Sequence, residues 1–311
     1  MGFEALIPVG ETLASALGRM RGALTGAGIE AAGGDARRLL AAAIGGDGAE
    51  LIRDPRRTLS AAEARRLNGY ITRRLLREPV SRILGEREFY GRPFALTPDV
   101  LDPRADTETL IDTALEIGAR EGWYKRPIRI LDIGTGSGAI LLTLLAEFPL
   151  ATGVGIDVSV PALACAEINA SALGVAARCR FNCTDVRAVS LRGTDLVVSN
   201  PPYIPSAEID TLAPEVAVYD PRPALDGGSD GLMFYRWIFA AATRQQLVAK
   251  APQWLVLECG AGQSNAIVAI AWENGFSCRP DELLQRCDLG SILRCVALQT
   301  RFVTDVENPL E

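Results

Sequence analysis

The segment Asp132-Ile133-Gly134-Thr135-Gly136-Ser137-Gly138-Ala139 constrains the fold more than any other part of the chain. It follows the apolar run Ile128-Arg129-Ile130-Leu131, which predicts a strand, and it leads into a helix predicted over 137–148. Glycines at such a strand-to-helix junction let the backbone approach a ligand closely, with the first amides of the helix facing it. Asp157 ends the next predicted strand, 154–157, where a carboxylate can bind both hydroxyls of a ribose. Gly134-x-Gly136-x-x-Ala139 also satisfies the permissive dinucleotide fingerprint. The loop therefore implies a nucleotide-like cofactor without choosing between NAD and S-adenosylmethionine.

The pattern around the loop sets the fold class. Strands are predicted at 128–132, 154–157, 195–199 and 254–258, and helices at 137–148, 161–173, 231–249 and 264–274. Alternation of this kind predicts an α/β fold with a doubly wound, Rossmann-like parallel sheet covered on both faces. Residues 1–84 read differently. Leu13, Leu17, Met20 and Leu24 recur at helical spacing, and Ser60 followed by Glu63 is a capping-box pattern, so a small N-terminal helical domain is expected. Residues 85–105 read as a hairpin linker, with Gly91-Arg92-Pro93 as its turn signal, and 106–311 as the α/β domain.

A second motif, Asn200-Pro201-Pro202-Tyr203, directly follows the apolar strand 195–199. Strand ends near the point where strand order reverses form the ligand crevice of such sheets. The two prolines fix φ and remove two N–H donors, which leaves the Pro201 carbonyl available as an acceptor. Asn200 adds a side-chain carbonyl. Together they can grip both hydrogens of an –NH2 group, and Tyr203 offers a ring face.

Several chemistries are excluded. The chain has no histidine, which removes Ser-His-Asp and Cys-His catalysis and imidazole metal sites. Seven cysteines without a Cys-x-x-Cys spacing read as reduced residues packed as small hydrophobes, and no metal is expected. A net charge of −6 argues against a broad grip on nucleic acid. The arginines between Arg53 and Arg77 read as a solvated helix face, with a local basic patch as the alternative. No apolar run is long enough for a membrane span, and the first residues lack the pattern of a signal peptide, so a cytoplasmic protein is expected, with a monomer as the default.

An Asn-Pro-Pro-Tyr loop downstream of Asp-x-Gly-x-Gly-x-Gly resembles the amino-methyltransferases that act on DNA adenine, RNA guanine or protein glutamine. Four further segments narrow this. They are 88–91 (Glu-Phe-Tyr-Gly), 103–108 (Pro-Arg-Ala-Asp-Thr-Glu), 221–232 and 258–263 (Glu-Cys-Gly-Ala-Gly-Gln), and they resemble the release factor glutamine methyltransferases. The likeness runs from about residue 80 to 298. Ala105 stands where that family usually has proline, and Asp102 where an apolar residue is common.

The resemblance implies a class I methyltransferase sheet and S-adenosylmethionine as cofactor. It places the cofactor on Gly134, Thr135, Gly136, Ser137 and Gly138, its ribose on Asp157, its adenine beside Asp185 and Val186, and its reactive end near Asn200. It implies that the glutamine amide of a peptide chain release factor enters at Asn200, Pro201, Pro202 and Tyr203, with Asn200, Pro201 and Tyr203 acting in catalysis. Arg104 and Glu108 are expected to order the cofactor lid, and Glu258 to cap a loop. A nucleic-acid adenine or guanine N-methyltransferase is the alternative, disfavoured by the acidic charge. An NAD-dependent oxidoreductase gives the Asn-Pro-Pro-Tyr loop no task.

Overall fold

A computed structural model describes residues 6–46, 48–246, 254–276 and 282–300. It divides into two units, one of residues 1–86 with 213–219 and one of residues 87–212 with 220–311.

The first unit is helical. It holds α1 (Leu13–Gly26), α2 (Ala32–Ile44), α3 (Glu50–Arg53), α4 (Ala61–Leu75) and α5 (Val80–Leu84). Leu13, Met20 and Leu24 are buried as the spacing predicts, against Leu39 and Leu40 of α2 and Leu67 and Ile71 of α4. The capping box forms: Ser60 accepts from the Glu63 amide, and Glu63 accepts from the Ser60 amide.

The arginine run is not a plain solvated face. Arg74 is buried and donates to Asp35 at 2.8 Å and to Glu215 at 3.0 Å, and Arg77 donates to Glu215 at 2.9 Å. Glu215 lies far along the sequence, in a short helix after the α/β strands begin. The unit therefore takes up residues 213–219, with Tyr219 donating its hydroxyl to the Leu76 carbonyl at 2.8 Å. Burying that arginine is tolerable because two carboxylates meet its guanidinium.

The second unit opens with β1 (Glu86–Phe89) and β2 (Arg92–Ala95), a two-stranded sheet. The turn between them is Tyr90-Gly91, with φ of 50° and 70°, and not the expected Gly91-Arg92-Pro93. Two consecutive positive φ values make the turn whose twist matches the strands it joins.

There follow α6 (Glu108–Arg120), β3 (Arg129–Ile133), α7 (Ala139–Glu147), β4 (Thr152–Asp157), α8 (Val160–Ala172), β5 (Cys179–Cys183) and β6 (Leu196–Ser199). After α9 (Pro214–Ala217), which belongs to the helical unit, come α10 (Met233–Gln246), β7 (Trp254–Glu258), α11 (Ser264–Glu273), β8 (Leu283–Cys287) and β9 (Leu293–Gln299). The end of the helix expected at 231–249 and Cys278 lie outside the described residues.

The main sheet has seven strands in the order β5-β4-β3-β6-β7-β9-β8. Strands β3 to β7 pair in parallel as expected, while β9, outside the predicted strands, is antiparallel to both β7 and β8.

Period-two alternation sends neighbouring side chains to opposite faces. Ile130, Leu196, Val198, Trp254 and Val256 join α6 and α7 in one core, and Leu131, Ile133, Val197, Leu255 and Leu257 join α10 and α11 in another. Strands buried on both faces must be apolar throughout, which explains the unbroken Leu-Val-Val and Trp-Leu-Val-Leu runs. Strand order reverses between β3 and β6, where Ile133 pairs with Ser199. The glycine loop and the Asn-Pro-Pro-Tyr loop therefore leave the sheet side by side.

Candidate functional site

The glycine loop is a backbone device. Gly134, Gly136 and Gly138 have φ of 71°, 54° and 81°, a region that costs other residues a steric penalty. The turn is pinned from β4: the amides of Gly134 and Thr135 both donate to the Ile156 carbonyl, at 2.8 and 2.9 Å. A β-carbon on Gly134 or Gly136 would meet no atom within 4 Å. These two glycines are needed for their torsions, and their surroundings are left open. Gly138 faces inward instead, where a β-carbon would come within 2.9 Å of Leu142.

Asp157 closes the turn. Its carboxylate accepts from the Gly136 amide at 3.0 Å and the Ser159 amide at 2.9 Å. Each oxygen keeps a further lone pair for a hydroxyl. Asp132 lies beneath, fully buried, and accepts from the Thr135 hydroxyl at 2.7 Å. Burial pushes its carboxyl up to about 7 against the pull of Thr135.

A cavity of about 500 Å³ opens at these strand ends. Of the expected site residues it is lined by Gly134, Gly136, Asp157, Asp185, Val186, Asn200, Pro201 and Pro202. Phe234 and Trp237 of α10 and Pro98 to Leu101 complete its wall. Thr135, Ser137, Gly138 and Tyr203 are not on its surface. Thr135 turns to Asp132, the Ser137 carbonyl accepts from Asn169 at 2.9 Å, and Tyr203 packs beside the second core.

Asp185 is engaged by Arg187 through its guanidinium, at 2.9 and 2.6 Å, and its backbone amide, at 2.8 Å, and that hydrogen bonding holds its carboxyl down to about 2. Arg187 in turn stands 4.8 Å over the Trp237 ring. A larger concavity, about 690 Å³, lies among the beginnings of β3, β4 and β5, away from both motif loops.

Asn200 donates Nδ2 to the hydroxyl of Thr107 at 3.2 Å, leaving Oδ1 as the acceptor. Among the described residues, none donates to Asn200 Oδ1 or to the Pro201 carbonyl. Two neighbouring acceptors without donors at a cavity wall suit an incoming –NH2 group.

Tyr203 is braced from behind. Its carbonyl accepts from Gln263 Nε2 at 2.9 Å, and Gln263 Oε1 accepts from the Gly260 amide at 3.0 Å. Burial lifts the Tyr203 hydroxyl well above its ordinary range, with the nearby Glu258 adding to it. Glu258 is itself buried at 1% exposure, and its carboxyl is pushed up to about 7 by burial while Thr107, Arg294 and Tyr203 pull it down.

Glu108 does not reach the cavity wall. It accepts from the Tyr90 amide at 2.9 Å and so holds the hairpin turn. Arg104 pairs with the buried Asp220, whose carboxylate also receives the Asp102 amide at 3.4 Å. Asp102 is thus a buried polar residue in a polar cluster, with Arg87 3.7 Å away. Thr107 is the residue that sequence reasoning missed as a partner of the site. It lies within the segment 103–108 that carries the resemblance.

Two family models match the chain: the PrmC N-terminal domain over residues 15–85 and the methyltransferase small domain over 120–228. Curated relatives named release factor glutamine methyltransferase share much of its length. The protein of Bradyrhizobium diazoefficiens is 48% identical over 259 residues, 83% of this chain and 86% of the relative. That of Rhodospirillum rubrum is 46% identical over 94% of this chain and 87% of the relative. That of Caulobacter vibrioides is 40% identical over 96% and 98%. Among solved structures, the hMettl16 catalytic domain in complex with MAT2A 3′UTR hairpin 6 superposes with a TM-score of 0.53 at 14% identity, covering 67% of this chain and 75% of that chain. The delta-N METTL16 MTase domain gives a TM-score of 0.51 at 16% identity, covering 69% and 92%. At these identities the structural likeness shows the methyltransferase fold alone.

Proposed function

Because the chain belongs to the release factor glutamine methyltransferase family, we propose that Asn200 and the Pro201 carbonyl receive the side-chain amide of a release factor glutamine for N5-methylation. The observation that carries this reading is the pair of acceptors, Asn200 Oδ1 and Pro201 O, beside the open glycine turn. The relatives favour a protein amide over a nucleic-acid base.

S-adenosylmethionine supplies an electrophilic methyl group when bound. The cradle fits it: the open backbone at Gly134 and Gly136 suits its amino-acid end, and Asp157 has lone pairs for ribose hydroxyls. Val186 and the aromatic wall of Phe234 and Trp237 suit an adenine, with Asp185 at the rim. Thr135, Ser137 and Gly138 serve by shaping the turn.

An amide nitrogen is a weak nucleophile because its lone pair is delocalised into the carbonyl. Asn200 and Pro201 each accept one N–H, which would fix the nitrogen in the cavity and stabilise the positive charge that grows on it during methyl transfer; the N-protonated amide is a strong acid and would then lose its extra proton to solvent. Pro202 keeps the backbone from turning a donor toward the substrate. Tyr203, held from behind by Gln263, supports the loop and does not line the cavity. The chemistry is orientation and electrostatics, in keeping with a chain that has no histidine. A release factor as substrate supports a cytoplasmic site for the reaction.

The test is methyl transfer from labelled S-adenosylmethionine to a purified release factor, followed by mass mapping. Label on the glutamine of the Gly-Gly-Gln motif, absent after Gln→Ala, is expected. Label that persists in the Gln→Ala release factor would overturn the assignment.

A further inference from the structure

We propose that Thr107 is the positioning residue that sets which way the Asn200 amide faces, turning Oδ1 and not Nδ2 toward the substrate. This rests on the reading of Asn200 as an acceptor for the glutamine amide.

Thr107 ends the short helical turn Ala105–Thr107 and stands at the N-cap of α6. Threonine is common at an N-cap because its oxygen can accept from the first turn of the helix. Here it makes no side-chain capping bond, so the hydroxyl is not spent on the helix. Thr107 is also buried, at 3% exposure. A valine would fill the same volume without carrying a polar atom into the interior. The hydroxyl's partner is Asn200, 93 residues away, at 3.2 Å.

A hydroxyl alone cannot choose an amide's orientation, since it can donate to Oδ1 as well as accept from Nδ2. The choice comes from its other neighbour. Pairing of Ser199 with Leu257 puts Asn200 and Glu258 at adjacent strand ends. Glu258 is a buried carboxyl, and Thr107 and Tyr203 are the hydroxyls near enough to favour its ionised form. Among the described residues, Glu258 Oε2 is buried without a hydrogen-bond partner and, as a carbonyl or carboxylate oxygen, can accept the Thr107 proton, which leaves the Thr107 lone pairs for Asn200. Nδ2 must then meet Thr107, and Oδ1 is turned to the cavity. The opposite orientation would set an NH2 group against the substrate NH2 group.

The test compares Thr107→Val and Thr107→Ser in the full chain, using S-adenosylmethionine and a release factor. Removing an oriented acceptor from a reaction centre costs about 10²–10³-fold, and loss of orientation alone costs less. For Thr107→Val we expect kcat to fall about 10- to 100-fold, while KM for the release factor and affinity for S-adenosylhomocysteine stay within about threefold. Thr107→Ser keeps the hydroxyl and should return kcat to within about threefold of wild type. A Thr107→Val enzyme with wild-type kcat, or a Thr107→Ser enzyme as slow as Thr107→Val, overturns the inference. A second readout is independent of activity. The side-chain 15N–1H resonances of Asn200, assigned with an Asn200→Asp variant, should shift in Thr107→Val and return in Thr107→Ser. Unchanged resonances in Thr107→Val overturn the inference. A wild-type enzyme that methylates no release factor defeats the functional reading instead, and the spectra still decide the hydrogen bond.

Discussion

A β-carbon on Gly231 would overlap the carbonyl oxygen of Tyr203. Gly227 is nearly as close, since its β-carbon would stand 2.8 Å from Tyr203 Cα. Gln263 grips the same carbonyl from another side. The segments around 227–231 and 260–263 thus press on the last residue of the acceptor loop and leave it little room to shift.

Gly231→Ala tests that brace. Its φ of 72° alone makes alanine cost about 1–2 kcal/mol, and the overlap adds to this. The relief is movement of Tyr203, and misplacement by about 1 Å costs on the order of 10²-fold in rate. The expected result is a kcat loss of at least about tenfold with affinity for S-adenosylhomocysteine retained. Unaltered kcat would mean that the loop is not held by this contact.

Asn200→Ala removes one of the two acceptors. Steady-state assays should show kcat lower by about 10²–10³-fold. Calorimetry with S-adenosylhomocysteine should show binding within about threefold of wild type, since the glycine turn is untouched. A variant that turns over normally would remove Asn200 from the mechanism.

Much of this arrangement is legible in the chain, for identifiable reasons. The runs Leu196-Val197-Val198 and Trp254-Leu255-Val256-Leu257 announce themselves because strands buried on both faces read as near-continuous apolar stretches. The glycine loop is legible because three residues need positive φ within five positions. Strands β8 and β9 escape notice because Leu-Leu-Gln-Arg-Cys and Leu-Arg-Cys-Val-Ala-Leu-Gln mix polar and apolar residues, and their reversed order depends on distant pairing. Tyr90 at φ of 50° hides the hairpin turn, because a tyrosine gives no local turn signal there. Thr107 and Glu258 are ordinary residue types whose link to Asn200 exists only in three dimensions.

Asp157→Ala should act on the cofactor rather than on the acceptor loop. It removes the carboxylate that accepts from Gly136 and that the ribose would use. Hydrogen bonds to charged groups contribute about 1.5–3 kcal/mol, so affinity for S-adenosylhomocysteine should weaken by about 10- to 100-fold. Calorimetry showing wild-type affinity would exclude Asp157 from the cofactor site.

Stability of the cofactor-free protein should depend on pH through Asp132. Its carboxyl stands at about 7 when folded, against about 3.9 in an unfolded chain. The folded protein keeps a proton that the unfolded chain releases between those values. The contribution is therefore complete below about pH 4 and is lost as pH rises through about 7. Asp132→Asn cannot titrate. Between pH 5 and about pH 8, Tm should fall more steeply for wild type than for Asp132→Asn. Glu258 drifts in the same direction in both proteins and cancels from the comparison. Parallel melting curves would show that Asp132 is not held in its neutral form.

The helical unit draws residues 213–219 from deep in the second half of the chain and anchors Glu215 between Arg74 and Arg77. It is therefore not a cassette that one cut can lift out. A truncation before residue 87 strips Glu215 of both arginines, and a swapped N-terminal domain arrives without its sixth helix. Recombination between relatives would have to exchange two stretches of sequence at once, so the two domains are bound to be inherited together.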